Sequence, residues 1–168
     1  HTYTYDNNGN VLTWTTPNAD IITYTYDDLN RILNEDSNSS AGVEASYIYD
    51  QGANGKGQLT QAISQGVTTN YAHDAFDHLA SESRTIAGTS YVTTYTNDRQ
   101  GMPLQIIYPA GTDVDYTSYN EGLVNTITLD TTTPLVTLSL YNANRQLTQQ
   151  FGSAAGTLIN TYDANNLY

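Results

Sequence analysis

The chain states one short phrase eight times in register: Tyr-x-Tyr-Asp, a turn rich in Asn and Gly, then an apolar residue. Clear copies are Tyr3-Thr4-Tyr5-Asp6, Tyr24-Thr25-Tyr26-Asp27, Tyr47-Ile48-Tyr49-Asp50 and Tyr71-Ala72-His73-Asp74. Drifted copies follow at Tyr95-Thr96-Asn97-Asp98, Ser118-Tyr119-Asn120, Leu140-Tyr141-Asn142 and Thr161-Tyr162-Asp163. The anchor falls at 5, 26, 49, 73, 97, 119, 141 and 162, in steps of 21, 23, 24, 24, 22, 22 and 21. A period this short marks a repeat architecture, because a unit of that size cannot bury its own apolar face. We expect a single array over residues 1–168, about eight copies of 21–24 residues, cut from a longer array at both ends.

Each unit reads as a β-hairpin. Around the second copy, Ile22, Tyr24 and Tyr26 alternate with Ile21, Thr23 and Thr25, which places the two sets on opposite faces of an extended segment. Asp27 to Asn30 then turns the chain, and Arg31-Ile32-Leu33 starts back. In the first copy the turn holds Asn8-Gly9, a pair that tolerates positive φ and signals a hairpin. The Asp after Tyr has a mechanical reason, since its carboxylate can cap backbone N–H groups of the turn. Looser connections are expected at Pro17-Asn18-Ala19-Asp20, at 37–42, at Pro109-Ala110-Gly111-Thr112 and at 152–156. The third unit carries an insertion over residues 51–57 that does not shift the later copies. The fold class is therefore all-β: tandem hairpins in a long antiparallel sheet, which twist should curl.

Composition narrows the partners. The net charge is −12, with five cations in 168 residues, so phosphate backbones and anionic membrane surfaces are disfavoured. Apolar residues make up 38%, yet there are 15 Tyr and still more Thr, which suits half-buried strands and argues against disorder. There is no cysteine, hence no disulfide or thiolate-bound metal. No apolar run is long enough for a helix to span a bilayer.

The residues resemble the YD-repeat signature of the Rhs proteins, the teneurins and the B and C subunits of insecticidal toxin complexes. The pattern, roughly Tyr-Asp-x-x-Gly-Asn/Arg-x, reads here as Tyr5-Asp6-Asn7-Asn8-Gly9-Asn10-Val11, Tyr26-Asp27-Asp28-Leu29-Asn30-Arg31-Ile32 and Asn97-Asp98-Arg99-Gln100-Gly101-Met102-Pro103. The resemblance implies a structural role: a β-sheet that spirals into a hollow shell, enclosing a C-terminal toxic polypeptide in the bacterial members. The Asp-Pro stretch that ends the shell and supports self-cleavage in that family is absent from this sequence, so that activity is not carried over.

Sites of chemistry are sparse. His73-Asp74-Ala75-Phe76-Asp77-His78 groups two imidazoles and two carboxylates, but repeat drift accounts for all four, and no metal ligand is assigned. The stretch from Asp6 to Asn10 lacks the Gly and Glu positions of a calcium loop. No Gly-x-Ser-x-Gly elbow occurs, and Glu35-Asp36 reads as surface. We expect no enzyme and no cofactor. The residues expected to matter are structural anchors: Tyr5, Tyr26, Tyr49, Tyr95, Tyr119, Tyr141 and Tyr162 as ladder rungs, with Asp6, Asp27, Asp50, Asp74, Asp98 and Asp163 fixing turns. Buried, the Tyr rows are core; exposed, they would offer a sugar-binding surface, the alternative reading. Expected partners are other YD repeats of the parent protein and an enclosed C-terminal toxin polypeptide, with no nucleic acid and no membrane insertion. The expected location is extracellular or at the cell surface. Free strand edges should also favour edge-to-edge self-association.

Overall fold

The computed structural model describes residues 1–120, 122–130, 132–141, 147–152 and 157–159; for 117–120, 137–141, 147–152 and 157–158 it describes the backbone alone. The regular structure among them is entirely strand. The strands are β1 Thr2–Tyr5, β2 Val11–Thr15, β3 Ile21–Tyr26, β4 Ile32–Ser37 and β5 Val43–Tyr49. There follow β6 Leu59–Ser64, β7 Val67–His73, β8 Leu79–Ile86, β9 Thr89–Asn97 and β10 Pro103–Ile107. The last are β11 Asp113–Asn120, β12 Leu123–Leu129, β13 Thr133–Tyr141, β14 Leu147–Gly152 and β15 Thr157–Ile159. They are hydrogen-bonded in chain order with no crossover, which is the simplest topology consecutive hairpins can take. Two compact units, His1–Val92 and Thr93–Tyr168, divide the chain.

In the first unit the registers separate two unlike faces. Tyr3 pairs with Trp14, Trp14 with Ile22, Tyr24 with Glu35, Tyr26 with Ile32, Tyr47 with Ala62 and Tyr71 with Glu82. Opposed residues in an antiparallel pair share a face, so these side chains form an aromatic side. The other side is polar: Thr4 opposes Thr13, Thr13 opposes Thr23, Thr25 opposes Asn34, and Gln61 opposes Asn70. Its hydroxyls and amides bond one another across strands, as in Thr4 Oγ1 to Thr13 Oγ1 at 2.7 Å and Gln61 Nε2 to Asn70 Oδ1 at 2.7 Å. The second unit repeats the division, with Tyr95, Ile106, Val114 and Leu129 in one row and Thr96, Gln105, Asp115 and Thr128 in the other.

A single layer of sheet leaves little interior. Among the described residues only Ala45, Gly55, Thr60 and Thr69 are buried. Burial of the Tyr rows, expected from their period, is not reached by the described Tyr3, Tyr5, Tyr26, Tyr49 and Tyr95 within this chain. Tyr3 and Tyr5 are 46% and 58% exposed, and Tyr26, Tyr49 and Tyr95 are half-buried. The cause is geometric: among the described residues the strands contact the strands beside them in the sheet, so a ring is covered by its strand neighbours.

The hairpins share one irregularity. Between Thr4 and Tyr5 the partner jumps from Thr13 to Val11, so Leu12 is unpaired. The same jump skips Leu33, Thr60, Ala80 and Leu104. Each is a β-bulge on the returning strand, and a bulge bends the strand and increases its local right-handed twist.

Candidate functional site

The residues with most chemistry lie along one end of the strands, where the Asp turns sit. In Asp6–Asn10, Asp27–Arg31, Asp74–His78 and Asp98–Met102 the backbone closes identically. The Asp N–H donates to the carbonyl four residues on at 2.8–2.9 Å, and the fourth residue's N–H donates to the Asp carbonyl at 3.0–3.2 Å. That fourth residue has positive φ each time: Gly9 +88°, Asn30 +60°, Asp77 +66° and Gly101 +82°. The left-handed region suits Gly, and Asn or Asp next best, which explains the residue types. Each Asp Oδ1 accepts two N–H groups, for example Asn8 and Asn10 on Asp6, both at 2.8 Å, and Gln100 and Met102 on Asp98 at 2.8 and 2.9 Å. On three of them the fifth side chain returns to Oδ2: Asn10 at 2.8 Å, Arg31 at 2.7 Å and His78 at 3.2 Å.

Side chains lace one turn to the next. Asn8 and Asn10 both donate to Asn30 Oδ1, at 3.0 and 2.7 Å. Arg31 reaches further. Its Nε meets Asp27 at 2.7 Å, its two terminal nitrogens meet the Asp50 carboxylate at 3.2 and 2.5 Å, and its guanidinium lies 4.3 Å from the Tyr49 ring centre. Two carboxylates and an aromatic face thus share one cation, an arrangement only a planar fork of donors can serve. The Arg31 hydrogen bonds, with Gly57 N–H at 2.6 Å, hold the Asp50 carboxyl down at about 2 against an ordinary 3.8. The same bonds, from Asp50 first and then Asp27, raise Arg31 above its ordinary range. Hydrogen bonds lower the carboxyls of Asp6, Asp27 and Asp74: the Asn10 side chain leads for Asp6 and the Arg31 N–H for Asp27. At Asp74 partial desolvation opposes the shift, but the bonds from Phe76 and His78 outweigh it.

Asp50 departs from the other turns. It has positive φ itself, +66°, and its N–H donates to the carbonyl of Gln58 across the inserted loop. The loop is tied back by Asn54, whose Nδ2 donates to the His73 carbonyl at 3.0 Å. Between this loop and the Asp27–Arg31 turn lies an open recess of about 750 Å³ lined by Leu29, Asp50, Lys56 and Gly57.

The remaining sequence candidates resolve by place. His78 is half of the Asp74 turn, while His73 ends β7 opposite Leu79. Among the described residues no group of three or more His, Asp or Glu could hold a metal ion. Glu35 faces Tyr24 on the aromatic side and Asp36 faces Thr23 on the polar side, so the two carboxylates point apart. Tyr26 stands on the aromatic row with its hydroxyl donated to the Val11 carbonyl at 2.9 Å. Tyr119 and Tyr141 lie on β11 and β13, but their side chains, like all of Tyr162 and Asp163, lie outside the described residues. Sequence reasoning missed the role of Arg31. The signal was faint: a cation following an Asp turn, with a matching acid one repeat later.

Comparison with known proteins gives two findings. Residues 5–43 match the family described as RHS Repeat. The fold matches a crystal structure of TcdB2-TccC3 without its hypervariable C-terminal region, with TM-score 0.86 and 15% identity over 96% of this chain and 9% of that one. It also matches TcdB2-TccC3-Cdc42, with TM-score 0.80 and 16% identity over 90% and 9%. A Tc holotoxin pore from Photorhabdus luminescens matches with TM-score 0.80 and 17% identity over 96% and 9%. This chain therefore spans about a tenth of the length of the chains it matches. No curated protein matches its sequence.

Proposed function

We propose that this chain, whose residues 5–43 match the RHS Repeat family, is a non-catalytic wall segment of a large secreted or surface-exposed protein of the toxin type. In this reading successive hairpins pair edge to edge, the repeated bulges curl the sheet, and the wall encloses a C-terminal polypeptide. The observation that carries the reading is the single-layer sheet with four buried residues among those described. A sheet with so few buried residues among those described is suited to a wall that separates two compartments. Partners are then the neighbouring YD repeats of the parent protein and the enclosed chain.

The test uses the parent protein. Its C-terminal polypeptide should resist added protease, and removal of residues 1–168 should expose it to cleavage. Protection that survives the deletion unchanged would sink the proposal.

A second reading, carbohydrate binding, is favoured by one feature. Tyr3 stacks on the half-buried Trp14 with ring centres 6.2 Å apart and planes 7° from parallel, and Tyr5 lies beside Tyr3, so two exposed Tyr rings adjoin a third aromatic ring. A glycan array probed with this chain decides it: no sugar bound ends that reading.

A further inference from the structure

The sequence contains two Asn-Gly steps, Asn8-Gly9 and Asn54-Gly55, and the fold places them in opposite surroundings. An Asn followed by Gly is open to attack on its own side chain, because no Cβ keeps the next backbone nitrogen from the amide carbon. At Asn8 the site is open. Asn8 and Gly9 are exposed, Gly9 has φ +88°, and nothing lies within 4 Å of where its Cβ would stand. The Gly9 N–H makes one bond, at 3.2 Å, to the Asp6 carbonyl, and the Asn8 amide donates to the exposed side chain of Asn30.

Asn54 is held differently. Its Nδ2 donates to the main chain of β7 at the His73 carbonyl, 3.0 Å away. Gly55 is buried: a Cβ there would strike the Gln51 carbonyl oxygen and come within 2.7 Å of Thr60 Cγ2. Its own carbonyl accepts the Gln58 N–H at 2.9 Å. The backbone around the reacting nitrogen cannot move without unpacking the loop.

We infer that Asn8 is a site of spontaneous deamidation in the folded protein and that Asn54 is protected. In the reaction the Gly9 nitrogen, its proton passed to hydroxide, bonds to Asn8 Cγ, and Nδ2 leaves as ammonia after taking a proton from water. Water then opens the five-membered imide at either carbonyl, giving aspartate or isoaspartate. Either product replaces the donor facing Asn30 Oδ1 with a carboxylate oxygen, and isoaspartate also adds a methylene to the main chain inside the Asp6 turn. The first two hairpins thereby lose one of the side-chain links between their turns.

The experiment incubates the folded 168-residue chain in mildly alkaline buffer and follows both peptides by mass spectrometry, with isoaspartate read by enzymatic methylation. The same incubation in denaturant supplies the intrinsic rates. Folded, Asn8 should convert roughly tenfold faster than Asn54, a ratio equal to about 1.4 kcal/mol in barrier; denatured, the two should convert alike. Asn8→Gln should silence the first site without changing the second. Equal rates in the folded chain, or a faster Asn54, overturn the inference.

Discussion

At the scale of single residues, Arg31 is the least replaceable side chain described, because it joins two turns and an aromatic ring at once. Lys cannot present two parallel donors to Asp50 while a third reaches Asp27. Arg31→Lys should therefore lower the melting temperature nearly as far as Arg31→Met, and a melt of Arg31→Lys matching the wild type would refute this. The acids predict a pH response of definite sign. The Asp50 carboxyl lies at about 2 when folded against an ordinary 3.8, so its contribution is complete above about 3.8 and is lost as pH falls toward 2. Asp6, Asp27 and Asp74 shift in the same direction. Thermal melts should fall across that window, and the fall should be shallower in Arg31→Met. That an Asp after Tyr would cap a turn is readable from sequence, since the Asx turn is local. The Arg31–Asp50 pair is not, because its partners are 19 residues apart and meet only once the register of β3, β4 and β5 is set.

Elements obey a rule that the sequence discloses only in part. The five-residue closure of the Asp turns recurs at the opposite ends of the strands, in Thr16–Asp20 and Tyr108–Thr112, with the same hydrogen bonds at 2.8–3.0 Å. Positive φ again falls at the fourth residue, Ala19 at +68° and Gly111 at +87°. Those connections look loose on paper because no Asp leads them; the backbone makes them as regular as the rest. Two further turns, Gln65-Gly66 and Ala87-Gly88, went unrecognised, and both residues of each have positive φ, the geometry of a two-residue hairpin. The alternation of Tyr with Thr did reveal strands and faces, since a period of two is local information. The bulges did not show, because an unpaired Leu12 or Leu33 differs from its neighbours only in its partner. A test at this scale uses the left-handed slot. Asp77→Gly should stabilise the chain by about 1 kcal/mol, and Gly101→Ala should destabilise it by about as much, since only Gly occupies that region without strain. Urea melts of both variants that move in the same direction would contradict the account.

For the whole molecule, β1 and β15 stand at the two ends of the strand order, and in the isolated 168-residue chain a strand paired on one side offers its N–H and C=O groups to another chain. Light scattering should show mass rising with concentration; a constant monomer mass over a wide range would count against edge pairing. The all-β fold and its hairpin order were legible because repetition states one local rule many times. The division at Val92 and Thr93 was not, since it falls inside β9 and interrupts no copy of the phrase. The inserted loop, finally, bears on how such chains change over generations. Residues 51–57 enlarge one turn, yet β7 and β8 keep the faces and bulge of the hairpins before them. A molecule whose described strands contact the strands beside them can gain or lose copies by recombination, or lengthen a loop, without rewriting a shared interior. Its grammar is punctuation, and its vocabulary is free to drift.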